Sequence, residues 1–322
     1  MDKIAFHARS DIGGVSTRGR ALEDRSFADE VALADGTRLF VAAVADGVGG
    51  GPAGGRAAEV ALQALVDTLR EGQAAEMPLA LLARAVQAAN AEVLAEGTRS
   101  PELHGLASTL AVALVRDRRL YVANLGDSRV MLVRAGRVRA LTWDHVFRND
   151  IVARSGVDVA RAARHPRAAD LVRAAGLADD ARVDLGLYLR GGPLGAEPEA
   201  VAGENQGLTL LPGDRVVVCT DGLVKPRADR PDRPYVSLRE IAEHVSDNVP
   251  ERAVAALLSL AKGRDVDDNV SAAVLAVPSG RRCHPLRVPW ALTLSVAVVA
   301  AGIASLVTAL VLRPDWLTLA GR

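Results

Sequence analysis

The chain has 322 residues, with 39 basic side chains against 39 acidic ones and no net charge at pH 7. That balance lacks the basic footprint with which nucleic-acid binders neutralise phosphates, so nucleic acid is not expected as a partner and any anionic substrate must be met by a local cluster of charge. With 49% apolar and 24% charged residues, the composition is that of a folding globular chain and not of a disordered one.

The opening residues, Met1 to His7, lack the apolar run and small-residue cleavage site of a secretory signal, so export of the domain is not expected. Three strands are predicted next: from Ile4 to about Ile12, from Ser26 to Leu33 and from Leu39 to Ala45, the last two joined by an Asp35-Gly36 hairpin turn. Apolar residues at three-to-four spacing then predict an antiparallel pair of helices, Gly54 to Arg70 and Pro78 to Glu96, with Gly72 and Gly97 as stops. From Ser108 to Leu141, short apolar runs alternate with turn signals, as a meander of about four strands would. Residues 146–185, rich in alanine and arginine but poor in bulk, read as a mobile insertion on the sheet and not as core.

Strand character returns at Leu208 to Leu211 and Arg215 to Thr220, a helix is predicted from Leu238 to Lys262, and Val270 to Val277 closes as a strand. This order fits an α+β fold, a four-layer α-β-β-α sandwich of two antiparallel sheets flanked by helices, over residues 1–278. Cys219 lies in an apolar run and Cys283 beside a basic pair, contexts that suit a reducing compartment better than a disulfide framework.

A basic linker, 279–289, leads into a stretch from Trp290 to Leu312 without a charged residue. As a helix it would cover roughly 30 Å of hydrocarbon and is read as a single transmembrane span, with 313–322 as a short tail. Arg281, Arg282 and Arg287 precede it, against Arg313 and Arg322 after it, which places residues 1–287 on the cytoplasmic side of the inner membrane. Ala297, Ala301, Ser305 and Ala309 recur every four residues; either another helix approaches this stripe or an alanine-rich chain produces it by coincidence.

Five aspartates share one local context, at the end of an apolar strand or in the turn beside it: Asp24, Asp46, Asp127, Asp221 and Asp268. Strand ends in a sandwich gather at its edges, so carboxylates from distant parts of the chain can converge there, and hard cations such as Mg²⁺ and Mn²⁺ take oxygen ligands of this type. Asp46-Gly47 ends a strand and opens the run Val48-Gly49-Gly50-Gly51, too glycine-rich for a tight turn and lacking the Gly-Lys-Ser/Thr of a nucleotide loop.

In order and spacing, Glu23-Asp24, Asp46-Gly47-Val48-Gly49-Gly50, Gly126-Asp127-Ser128-Arg129, Thr220-Asp221-Gly222-Leu223 and Asp268-Asn269 resemble the motifs of the protein phosphatase 2C (PPM) family, as its bacterial members carry them. Ser108-Thr109, Leu141 to His145 and His165-Pro166 add to the likeness, which spans about residues 5–277. The resemblance implies a serine/threonine protein phosphatase using two Mn²⁺ or Mg²⁺ ions. Asp46 would bridge them, the Gly47 carbonyl would join one, and Asp221 and Asp268 would complete the other. Asp24 would act through bound water and Asp127 would help hold a weaker third ion. Asp46, Asp221 and Asp268 thus carry the catalysis. A water activated between two ions attacks phosphorus in line, with no covalent intermediate, so Cys219 is expected to pack and not to react.

Three departures stand out. Gly19 occupies the position of the family's phosphate-gripping arginine, leaving Arg18 or Arg20 to substitute. Val48 replaces a histidine that many eukaryotic members use as proton donor. Lys225 stands four residues after Asp221, where an acidic residue is common, and would weaken a third ion or place an ammonium in its stead. The partners implied are phosphorylated proteins, a serine/threonine kinase and the membrane; the rival readings are a pseudophosphatase that binds phosphoproteins without turnover, or a phosphatase for a small phosphoester or one dedicated regulator.

Overall fold

The computed structural model describes residues 3–48, 52–99, 101–188 and 207–279. The span 290–312 with its small-residue stripe, Cys283, and the glycines 49–51 lie outside the described residues. Among the described residues no helix is long and apolar enough to cross a membrane.

Two antiparallel sheets are built from β1 (Ala5–Asp11), β2 (Asp24–Ala32), β3 (Arg38–Val48), β4 (Ala107–Ser108), β5 (Leu110–Arg116), β6 (Arg119–Leu125), β7 (Arg129–Arg134), β8 (Arg137–Ala140), β9 (Leu208–Thr209), β10 (Arg215–Cys219) and β11 (Val270–Ala276). One sheet runs β1-β11-β10-β7-β8 and the other β2-β3-β5-β6-β9, with β4 attached to β3. Helices α1 (Pro52–Glu71) and α2 (Pro78–Gly97) pair on the second sheet; α6 (Leu238–Val245) and α7 (Pro250–Gly263) lie on the first.

Alternation along the strands produces the layers, because successive side chains point to opposite faces. In β3, Val41, Ala43 and Ala45 pack under α1 and α2, whereas Ala42 and Val44 face the other sheet. Likewise Val217 and Cys219 of β10 meet α6 and α7, while Val216 and Val218 join Ala273 and Leu275 between the sheets. Three apolar clusters therefore separate four layers, which is the predicted α+β architecture.

Three details differ from the sequence reading. The four strands from Leu110 to Ala140 form no single meander: β5 and β6 belong to one sheet and β7 and β8 to the other, and the chain changes sheet at Gly126-Asp127-Ser128. The helix expected over 238–262 is two helices, since Pro250 lacks the amide that would continue the first and holds Val249 extended at φ −66°, ψ 150°. Strand β3 runs on to Val48, so Asp46 and Gly47 are strand residues and do not begin a loop.

The 146–185 insertion carries two short helices, α3 (Phe147–Ser155) and α4 (Val159–Ala163). An isolated bridge from Val146 to Leu171 closes it on itself, bridges from Ala175 to Ser108 and from Asp184 to Asn124 tie it down, and Leu187 just beyond it enters the inter-sheet core.

Candidate active site

The carboxylates collect at one end of the space between the sheets. Asp24 and Asp46 are cross-strand partners in the β2/β3 register. Asp46 follows Ala42 and Val44 in the alternation that faces the opposite sheet, so strand geometry alone brings it there. From the other sheet, β10 is followed by Thr220, whose hydroxyl donates to Asp24 Oδ2 at 2.8 Å and accepts from the Ser271 amide at 3.0 Å. Asp221 then opens α5 (Asp221–Val224). Asp268 and Asn269 precede β11.

Close backbone contacts explain the glycines after two of these aspartates. A Cβ on Gly47 would lie 1.8 Å from the Gly54 carbonyl of α1, and one on Gly222 would lie 2.0 Å from the Asn269 carbonyl. Only glycine lets these segments meet.

Polar neighbours hold the acidic residues in place. The Asn269 side-chain oxygen Oδ1 accepts from the backbone amides of Glu23 at 2.5 Å and Asp24 at 3.2 Å, and its Nδ2 donates to the Ala21 carbonyl at 3.3 Å. The Asp46 amide donates to Thr109 Oγ1 at 3.0 Å, Ser108 Oγ donates to the Asp46 carbonyl at 3.1 Å, and Thr109 and Ser128 share a buried 2.7 Å hydroxyl bond. These supports received no role from the sequence. The signal available was a run of small polar residues next to each candidate carboxylate.

Asp127 sits in the turn where the chain changes sheets. Gly126, at φ +106°, donates its amide to Nδ1 of buried His145 at 3.1 Å, and His145 Nε2 pairs with Asp184 at 3.2 Å. Behind the turn, Arg129 makes a buried bidentate pair with Asp144 at 2.8 and 2.6 Å. His145 thus packs behind the turn, and His165 stacks on Phe147.

Burial and mutual repulsion act together on this cluster. The Asp24 carboxyl is pushed up to about 7, chiefly by burial and further by Asp221 and Asp268, against the hydrogen bonds from Thr220 and Ser271. Asp46 is raised well above the carboxylate range by burial, then by Asp24, Asp221, Asp268 and Asp127. Asp127 rises to about 8 through burial, then Asp221 and Asp144. Burial also raises Asp221, opposed by Lys225. Such a group must either take up protons or gather a cation.

The donor set fits a cation. Asp24 Oδ1 and Asp221 Oδ1 are buried without a hydrogen-bond partner, and a buried carboxylate oxygen so placed is costly unless a positive charge meets it. Among the described residues no three acidic, histidine or cysteine side chains form a ready-made cage for one ion. Asp268 is engaged elsewhere: Oδ1 accepts from the Asn269 amide at 2.9 Å and Oδ2 from Lys225 Nζ at 2.5 Å.

Of the two arginines considered for phosphate, Arg20 donates from Nη1 to the Asp267 carbonyl at 3.1 Å, beside Asp268. Arg18 is exposed and caps the 3-10 turn Val15–Thr17 through its backbone amide. Cys219 is fully buried and its thiol is pushed up to about 12 by burial, which suits packing and not nucleophilic attack.

A family model described as protein phosphatase 2C matches residues 16–259. The chain is 30% identical over 240 residues to the serine/threonine protein phosphatase PstP of Mycobacterium tuberculosis, covering 74% of this chain and 40% of that protein. It is 33% identical over 144 residues to the serine/threonine phosphatase stp of Listeria innocua, covering 44% of this chain and 57% of the relative. The chain therefore spans well under two thirds of the length of either. Among solved structures, the M. tuberculosis serine/threonine phosphatase PstP/Ppp superposes with a TM-score of 0.64 at 27% identity, covering 85% of this chain and 99% of the other. The PstP catalytic domain in complex with 2 manganese ions gives 0.61 at 27% identity, with 85% and 98% covered.

Proposed function

This chain belongs to the protein phosphatase 2C family, and from that premise we propose that it hydrolyses phosphoserine and phosphothreonine in proteins, in opposition to a serine/threonine kinase. The single observation that carries this is the buried carboxylate group at the inter-sheet edge, with Asp24 opposite Asp46 and unpartnered oxygens on Asp24 and Asp221.

Asp46, the Gly47 carbonyl, Asp221 and Asp268 would hold two Mn²⁺ or Mg²⁺ ions, with Asp24 reaching them through water and Asp127 serving a weaker third. When bound, such ions supply Lewis-acid activation of water and neutralise the phosphoryl oxygens. The chain's own side chains do the rest. Thr220 and Asn269 orient Asp24 from two directions, and Thr109 and Ser108 hold the backbone of Asp46. The bond from Arg20 to the Asp267 carbonyl, beside Asp268, supports Arg20 over Arg18 as the arginine that would receive a substrate phosphate, since a planar fork can meet two oxygens at once.

The catalytic part comprises residues 1–278. The uncharged stretch 290–312 and its more basic N-terminal flank support a single-pass anchor in the inner membrane, with the linker 279–289 and the catalytic part on the cytoplasmic side. A membrane position would confine the enzyme to substrates and a kinase found there.

A second reading, a pseudophosphatase, is favoured by one observation, the Lys225 ammonium on Asp268. Release of phosphate from a phosphothreonine peptide by the full chain, with Mn²⁺ and with chelator, separates the two. Turnover that requires the ion supports the enzyme; a folded chain without turnover supports the binding module.

A further inference from the structure

Lys225 has an unusual place for an ammonium. Its Nζ lies 2.5 Å from Asp268 Oδ2 and 3.5 Å from Asp267 Oδ1, with the side chain 23% exposed. The remaining Asp268 oxygen is taken by the Asn269 amide. Asp268 therefore has protein donors on both oxygens, and an ion approaching Oδ2 meets the ammonium first.

The backbone around Lys225 is fixed. Its amide donates to the Asp221 carbonyl at 2.7 Å, closing α5, and its carbonyl accepts from the Tyr235 amide at 3.1 Å. Tyr235 is itself buried, with its hydroxyl donating to Asp267 at 3.1 Å. Pro226 follows and stiffens the chain further. The backbone is thus pinned, so the side chain is the part that would leave Asp268, and its charge would leave Asp221 with it.

We propose that Lys225 is the resident counter-cation of the carboxylate group: it holds Asp268 until a divalent ion displaces it, and it weakens ion binding by the cost of that exchange. A monovalent ammonium offsets part of the repulsion among Asp221, Asp267 and Asp268, which keeps the ion-free fold together, whereas a divalent ion offsets more and takes the same oxygen. The two cations compete for Asp268 and repel each other across the cleft. This inference rests on the reading of Asp268 as an ion ligand.

Calorimetric titration of the full chain with Mn²⁺, paired with thermal melts in chelator, tests it. Lys225→Met is expected to tighten Mn²⁺ about tenfold or more, to melt lower than wild type without metal, and to gain more in Tm on adding Mn²⁺. Lys225→Gln, which keeps the length and polarity of the side chain, is the second neutral variant and should show the same gain should the methionine variant fold poorly. Lys225→Arg retains the charge and should stay close to wild type. Wild type that binds Mn²⁺ while both neutral variants bind it no more tightly overturns the inference and leaves the ion site standing. No Mn²⁺ binding by wild type or variants overturns the ion site, and this inference with it.

Discussion

Asp24 and Asp46 face each other as cross-strand partners at the ends of β2 and β3, two carboxylates in the closest register that an antiparallel pair provides. Like charges so placed destabilise a sheet unless something positive or a proton comes between them. A strong dependence of stability on pH and on divalent ions follows.

Without metal, Asp24 with its carboxyl near 7 and Asp127 near 8 bind protons that the unfolded chain, near pH 4, has already released. The folded state then holds more protons than the unfolded one between about pH 4 and 8, so stability is greatest at the acid end of that window and falls as pH rises through it. Melts in chelator at pH 5.5 and pH 8 should show the lower Tm at pH 8. Mn²⁺ should abolish most of the difference, and Asp46→Asn should raise the metal-free Tm at pH 8.

Asn269 fastens Glu23, Asp24 and Ala21 with a single amide. Asn269→Ala removes these bonds in a site only 4% exposed. Denaturant unfolding should show a loss of about 1–3 kcal/mol, and Mn²⁺ binding should weaken because Asp24 is no longer oriented.

Arg129 and Asp144 form a buried bidentate pair; burial works against the charged guanidinium, but the charge and hydrogen bonds of Asp144 outweigh it and keep Arg129 charged. Arg129→Ala leaves the buried Asp144 carboxylate with the more distant Arg148, at 3.7 Å, and should cost about 3–5 kcal/mol. Arg129→Met combined with Asp144→Leu should recover most of that, as measured by urea unfolding of all three chains.

Arg20 and Arg18 are separated by their anchoring. Arg20→Ala should raise KM for a phosphothreonine peptide about tenfold or more, the worth of a hydrogen bond to a charged group, whereas Arg18→Ala should leave it within about twofold. Steady-state kinetics on both variants decides between them.

Much of this was legible in the sequence because strand periodicity and turn residues are local signals. The five aspartates stand out by their place at strand ends or in the turns beside them, and the Asp35-Gly36 turn by its dipeptide. The change of sheet at Gly126-Asp127-Ser128 was not legible, since a turn between two strands of one sheet and a crossing between two sheets use the same residues. The bend between α6 and α7 was signalled by Pro250 but masked by apolar spacing on both sides of it. Thr220 and Asn269 gave no sign of their roles, because their partners, Asp24 and Glu23, lie roughly two hundred residues away along the chain. Lys225 departs from the family pattern in the sequence itself, but its contact with Asp268 is a property of the fold.

The central claim is that the clustered aspartates hold the ions on which phosphate release depends. Its most direct test is to measure, on the same samples, the number of Mn²⁺ ions bound at equilibrium and the rate of phosphate release from a phosphothreonine peptide, for wild type, Asp46→Asn and Asp268→Asn. The account predicts at least two ions and metal-dependent turnover in wild type, with loss of both bound ions and turnover in each folded variant. Wild-type turnover that persists in the Asp46→Asn chain, or that proceeds with no Mn²⁺ bound, would contradict it.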